Sequence, residues 1–192
     1  MRFAETVQQA FAFLEEAGFR LTQSSPVRLQ YEAAQAFVAI DWDARSGELN
    51  VWVGLPPKNG EAPDEFSLTE LLAMEGADVP GRKKPFEVAD ESKLGPFLEK
   101  LAADTQAYAQ PALTGDRMFF CRLGAFRSAQ ARTYWRNFEL VRVRRQADKA
   151  WQSRELKTLI ALYTSIEEDL TASEKAKLAY AKQRAKRGWR LP

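Results

Sequence analysis

QAFVAIDWDARSGELNVWVGL, Gln35 to Leu55, decides the fold. Val38, Ile40 and Trp42 alternate with Phe37, Ala39 and Asp41, and a side-chain period of two is that of a strand. A second run repeats it, with Leu49, Val51, Val53 and Leu55 opposed by Asn50, Trp52 and Gly54. Between them, Asp43-Ala44-Arg45-Ser46-Gly47 is turn chemistry, and Gly47 accepts a positive φ without a steric penalty. The spacing predicts a hairpin of residues 35–42 and 48–55. Both faces carry apolar side chains, which places this hairpin centrally in its sheet.

The flanks extend the pattern. Phe19 and Leu21 alternate with Arg20 and Thr22, Ser25-Pro26 reads as a turn, and Val27, Leu29 and Tyr31 alternate with Arg28 and Gln30. Together these runs predict an antiparallel sheet of three or four strands. Ahead of it, Phe3, Val7, Ala10, Phe11 and Leu14 form one stripe of a helix over residues 5–18. Residues 56–65 read as a loop. Phe66 then anchors the chain, and Ser67 with Glu70 has the spacing of a capping box opening a short helix with Leu68, Leu71 and Leu72. A further breaker-rich loop carries Arg82-Lys83-Lys84, a solvated basic cluster. A helix is expected over residues 94–109, with Leu94, Phe97, Leu101, Thr105 and Tyr108 on one face and Pro111 ending it. The fold class is α+β, a sheet flanked by helices, followed by a helical basic C-terminal region.

Within that last region two readings are open over residues 128–150. Trp135, Phe138 and Val141 fall on a helical stripe, whereas Phe138–Val143, FELVRV, alternates like a strand. A helix over residues 151–170 and a second one opened by Thr171 with Glu174 and closed by Gly188 read as an αα-hairpin, with Trp189 as an anchor beyond it.

Composition narrows the chemistry. The 192 residues are 45% hydrophobic, enough to offset the entropy of ordering a core. Histidine is absent, which removes imidazole metal sites and Ser-His-Asp or Cys-His triads. Cys121 is the single cysteine, so an intrachain disulfide and a cysteine zinc cluster are excluded; it is expected to be a buried, inert thiol. No run reaches the length of a membrane span and the start lacks a secretory core, so a cytoplasmic protein away from membranes is expected. Charge is divided. Residues 1–116 hold 19 acidic and 10 basic side chains, net −9, and residues 117–192 hold 7 and 18, net +11. The expected organisation is an acidic α+β core over 1–116 and a basic, mainly helical region over 117–192 packed on it.

Three functional patterns stand in the chain. Asp41 and Asp43, two apart on a strand, are the residue types that hold Mg²⁺ or Mn²⁺ in a metal-dependent enzyme; equally, Asp43 ends the strand and bonds turn amides. Arg127, Arg132, Arg136, Arg142, Arg144 and Arg145, interrupted by Tyr134, Trp135 and Phe138, have the chemistry of nucleic-acid binding, and could instead pair with the acidic half. No residue is assigned as catalytic, and no cofactor or resident metal is called for.

The third pattern comes with a resemblance. The opening helix, Gly18-Phe19, Tyr31-Glu32, FVAIDWDARSGELNVWVG at 37–54, FSLTELL at 66–72 and LTGD at 113–116 resemble small bacterial immunity-like proteins of polymorphic toxin loci. The resemblance spans residues 1–116 and implies a helix-flanked antiparallel sheet that binds, and neutralises, a protein partner. The expected mechanism is stoichiometric occlusion without turnover. Asp41, Asp43, Asp64 and Glu65 are the expected contacts, with Trp42 or Trp52 as an anchor if exposed. The basic region after Arg117 departs from that pattern.

Overall fold

The computed structural model describes residues 2–57, 64–77, 86–88 and 93–187. The cluster Arg82-Lys83-Lys84, most of the loop expected over 56–65, Gly188 and Trp189 lie outside the described residues. The chain divides into two compact units, Met1–Arg127 and Ser128–Pro192.

The N-terminal unit is α+β. Its strands are β1 (Arg20–Ser24), β2 (Arg28–Glu32), β3 (Phe37–Asp43), β4 (Glu48–Gly54) and β5 (Glu65–Ser67), antiparallel in the order β1-β2-β3-β4-β5. A two-residue β6 (Phe86–Glu87) pairs with the Glu48–Leu49 end of β4, while β5 takes the Trp52–Gly54 end. The sheet is therefore wider than the three or four strands expected. The added strand β5 is Glu65-Phe66-Ser67, too short to display a period of two, so in sequence it reads as a lone anchor before a cap. The central hairpin forms as expected, with Val38 opposite Val53 and Ile40 opposite Val51, and Gly47 at φ 74°.

One face of this sheet holds the core. Leu29, Tyr31, Val38, Ile40, Val51 and Val53 are buried against Phe3, Val7, Phe11, Leu71, Leu98 and Leu101. Each such side chain contributes about 1.5–3 kcal/mol by leaving water. The covering helices are α1 (Arg2–Ala10), α2 (Phe13–Glu16), α3 (Leu68–Met74), α4 (Leu94–Tyr108) and α5 (Gln110–Leu113). The single helix expected over 5–18 is two pieces, because Leu14 and Glu15 bond carbonyls three residues back and tighten the turn. The capping box at Ser67 is formed, with the Glu70 N–H donating to Ser67 Oγ and the Ser67 N–H to Glu70. In α4 the expected stripe holds for Leu94, Leu101 and Thr105, whose hydroxyl donates to the Leu101 carbonyl, but Tyr108 is exposed at the helix end.

Helix α6 runs from Arg117 to Gln152, and its first residues belong to the N-terminal unit. There Phe119, Phe120 and Leu123 are buried in the core. Cys121 is exposed rather than buried, since it sits about 100° around the helix from Phe120.

The C-terminal unit is helical. The FELVRV stretch continues α6 and is no strand. Val143, Ala147 and Ala150, spaced by four and three, form a core with Leu159 and Tyr163 of α7 (Leu156–Ser165) and with Leu178 and Ala181 of α8 (Ala172–Arg187). The helix expected over 151–170 is interrupted at Arg154, where φ is 57°, and ends in a 3-10 turn, Glu167–Asp169. Thr171 and Glu174 bond reciprocally at the start of α8, as their spacing predicts. Helices α7 and α8 form the expected hairpin. Among the described residues no helix is long and apolar enough to cross a membrane.

Candidate interaction surfaces

The second face of the sheet, away from the core, carries the acidic candidates. Pairing sets Asp41 between Arg28 and Asn50, and Ala39 between Gln30 and Trp52. Arg28 Nη1 donates to both Asp41 oxygens at 2.8 and 3.1 Å, and Nη2 donates to Gln30 Oε1 at 3.2 Å. Gln30 in turn donates to Glu32 at 2.7 Å. Burial raises the Asp41 carboxyl above its usual range, even though the Arg28 charge and hydrogen bonds from Trp52 and Arg28 pull it down. Phe37 and Gly54 face each other across β3 and β4, and a Cβ at position 54 would strike the Phe37 ring and come within 2.6 Å of the Asp64 carbonyl.

Asp43 does a different job at the strand end. It is exposed and accepts the Arg45 N–H at 2.8 Å, and this bond, followed by one from Ser46, lowers its carboxyl. A divalent cation at Asp41 and Asp43 would have to displace Arg28 from one and a turn amide from the other. Among the described residues no group of three His, Cys, Asp or Glu converges.

Trp42 and Trp52 are on opposite faces, because each strand alternates. Trp52 is half-buried on the face of Asp41. Trp42 turns to the core, with its ring 5.8 Å from that of Phe3. Its buried Nε1 has no hydrogen-bond partner among the described residues, and neither does the buried Tyr31 hydroxyl, which burial and then the Glu15 charge push up to about 12. Glu65 shares the second face, opposite Gly54, and Asp64 is exposed beside it. The sheet thus brings Asp41, Asp43, Trp52 and Glu65 to one side and removes Trp42 from them.

The arginines are mostly spent on internal partners. In the N-terminal unit Arg127 donates to Glu70 at 2.6 and 2.7 Å and to the Glu65 carbonyl, and its guanidinium lies 4.1 Å from the centre of the Phe66 ring. Burial raises the Glu70 carboxyl, but the bonds from Arg127 and Ser67 outweigh it and the net shift is downward. In the C-terminal unit Arg136 pairs with Asp169 at 2.8 Å, Arg142 with Glu139, and Arg144 with Glu174 at 2.9 Å. Arg132 and Arg145 are exposed and have no such partner among the described residues.

Beside those two arginines lies a surface whose Trp135, Phe138 and Val141 read in the sequence as a helical stripe and whose Tyr134, Trp135 and Phe138 read as rings able to stack bases. Tyr134, Trp135, Phe138 and Val141 on α6 are 65%, 64%, 55% and 65% exposed. Their rings interlock edge to face, with centroids 5.7 Å apart for Tyr134–Trp135 and 6.0 Å for Trp135–Phe138. Phe138 and Ala147 are nine residues apart, half a turn around the helix. One side of α6 therefore packs on α7 and α8 while the other presents aromatic rings to water. The discriminating signal in the sequence was two apolar stripes on opposite sides of one helix, of which Val143, Ala147 and Ala150 form the second.

No protein-family model, curated protein or solved structure matches this chain.

Proposed function

We propose that this chain is a non-enzymatic protein-interaction module that occludes a protein partner stoichiometrically, as immunity-like proteins do. The carrying observation is the exposed cluster of Tyr134, Trp135, Phe138 and Val141 on α6. Large contiguous apolar patches on a soluble surface mark interaction sites, and Tyr and Trp anchors dominate binding energy at such sites. Unpaired Arg132 and Arg145 at the edge of the patch favour a partner whose apolar surface is rimmed by carboxylates. The sheet face with Asp41, Asp43, Trp52, Asp64 and Glu65 is a weaker candidate, since Arg28 already neutralises Asp41.

Nucleic acid is the rival occupant, because aromatic rings beside arginines also stack bases. Pairing of Arg127, Arg136, Arg142 and Arg144 with carboxylates of this chain reduces the charge left for phosphates. Affinity capture from the producing cell, with and without nuclease, separates the two. A near-stoichiometric protein that survives nuclease and is lost with Trp135→Ala/Phe138→Ala supports the proposal. Nucleic acid released by moderate salt, and lost with Arg132→Gln/Arg145→Gln, refutes it.

A further inference from the structure

A second feature of the C-terminal unit lies apart from the aromatic patch and begins with a backbone anomaly. Among the described residues four helix ends close in the same way. At each, one N–H bonds the carbonyl three residues back and the next N–H bonds the carbonyl five back, the Schellman arrangement. It requires a left-handed residue, which is Gly18, Gly76 and Gly115 at three of the ends, with φ 87°, 65° and 71°. At the fourth it is Arg154, φ 57°, the one non-glycine with positive φ among the described residues. Left-handed backbone crowds a Cβ, so glycine is the residue that fits at no steric cost.

An arginine at such a position calls for a reason in its side chain. Among the described residues Arg154 makes no ion pair and no hydrogen bond through its guanidinium, so the fold does not supply one. It lines an open cavity of about 550 Å³ with Trp151, Gln152, Leu156, Tyr180 and Arg184. Arg184 also lacks a carboxylate partner among the described residues, and its Nε donates to the Tyr180 hydroxyl at 3.1 Å. The Trp151 and Tyr180 rings meet edge to face, with centroids 5.6 Å apart, and each already has a cation over it, the Lys177 ammonium 5.8 Å from the Trp151 ring centre and the Arg184 guanidinium 5.8 Å from that of Tyr180. Among the described residues no carboxylate lines this cavity. The contrast lies in the same unit, where a cavity of about 500 Å³ is lined by Glu139, Glu167, Glu168 and Asp169 around a single Arg136 that is already paired.

We infer that the cavity between Trp151, Arg154, Tyr180 and Arg184 binds a small anion bearing a flat ring, in chemical class a nucleoside monophosphate. Guanidinium forks fit phosphate oxygens, and indole and phenol faces take the ring. The volume is that of an ordinary small-ligand site. The same chemistry belongs to a free nucleotide and to the 5′ end of a strand.

Calorimetry on the full chain with adenosine 5′-monophosphate tests it. A Kd on the order of 0.1–1 mM or tighter is expected, with adenosine and inorganic phosphate each binding at least about tenfold more weakly. A 5′-phosphorylated trinucleotide binding as tightly as the monophosphate assigns the site to a strand end, and weaker binding assigns it to the free nucleotide. Arg154→Gly should raise the melting midpoint by about 2–4 °C while weakening the monophosphate about tenfold. Arg184→Gln should weaken it similarly. No binding at roughly 10 mM nucleotide, unchanged affinity in Arg154→Gly, or a lower melting midpoint in that variant would each overturn the inference, the last because the arginine would then serve the fold.

Discussion

Phe120, Leu123 and Arg127 have the same spacing in α6 as Phe138, Val141 and Arg145, and their surroundings are opposite. In the N-terminal unit Phe120 and Leu123 are buried, and Arg127 is held by Glu70 over the Phe66 ring. In the C-terminal unit Phe138 and Val141 face water, and Arg145 has no ion partner among the described residues. A periodic apolar stripe thus specifies a face of a helix. Whether that face is core or docking surface depends on what the rest of the chain brings to it.

The sharpest way to break this comparison is to truncate its two halves. Leu123→Ala should destabilise by about 2–5 kcal/mol, as a core cavity does, whereas Val141→Ala should stay within about 0.5 kcal/mol. Urea titrations of the full chain measure both, and equal losses would mean that the second stripe is also structural. Next in size is Gly54→Ala. The added methyl meets the Phe37 ring and the Asp64 carbonyl, and backbone cannot yield as a flexible side-chain end does, so roughly 1–3 kcal/mol should be lost. An unchanged unfolding midpoint would show that the second sheet face has room to adjust.

The ion pairs differ in the same sense, with smaller effects. Glu70→Gln keeps a capping-box partner for Ser67 but removes the charge opposite Arg127, and should cost about 1 kcal/mol at pH 7 after allowance for solvent screening. The folded Glu70 carboxyl is lowered, so its stabilisation is present above the usual glutamate range and is lost as pH falls through the folded value. The gap between wild type and variant should therefore close in acid. Glu139→Gln, which breaks a fully exposed pair on α6, should leave the midpoint unchanged. Asp41 supplies the opposite sign. Its carboxyl is raised, so the native state takes up its proton before the unfolded chain does, and this group alone favours folding as pH falls through that window. Carbon-detected NMR titration should place Asp41 above the ordinary aspartate range and Glu70 below that of glutamate; the reverse order would refute the burial argument.

Much of this molecule was legible in local sequence. The hairpin of β3 and β4, both capping boxes and the α7–α8 hairpin follow from periodicity and from side chains that bond backbone groups within a few residues. These are short-range effects, complete once the neighbouring residues are known. Strand β5 was hidden because three residues cannot show an alternation, and the break at Arg154 was hidden because arginine gives no turn signal.

The candidate surfaces were decided at longer range. Alternation already places Trp42 and Trp52 each on one side of a strand, but only the sheet's register and the helices laid on one face turn Trp42 inward against Phe3. The arginines could be counted in sequence, yet Arg127 found Glu70 and Arg144 found Glu174 only through contacts between distant segments. Sequence by itself determined the α+β class, the main elements and the absence of histidine chemistry. Tertiary structure alone decided which apolar stripe is covered and which charges are neutralised, because burial and ion pairing depend on what lies opposite a side chain in space, and that partner can come from anywhere in the chain.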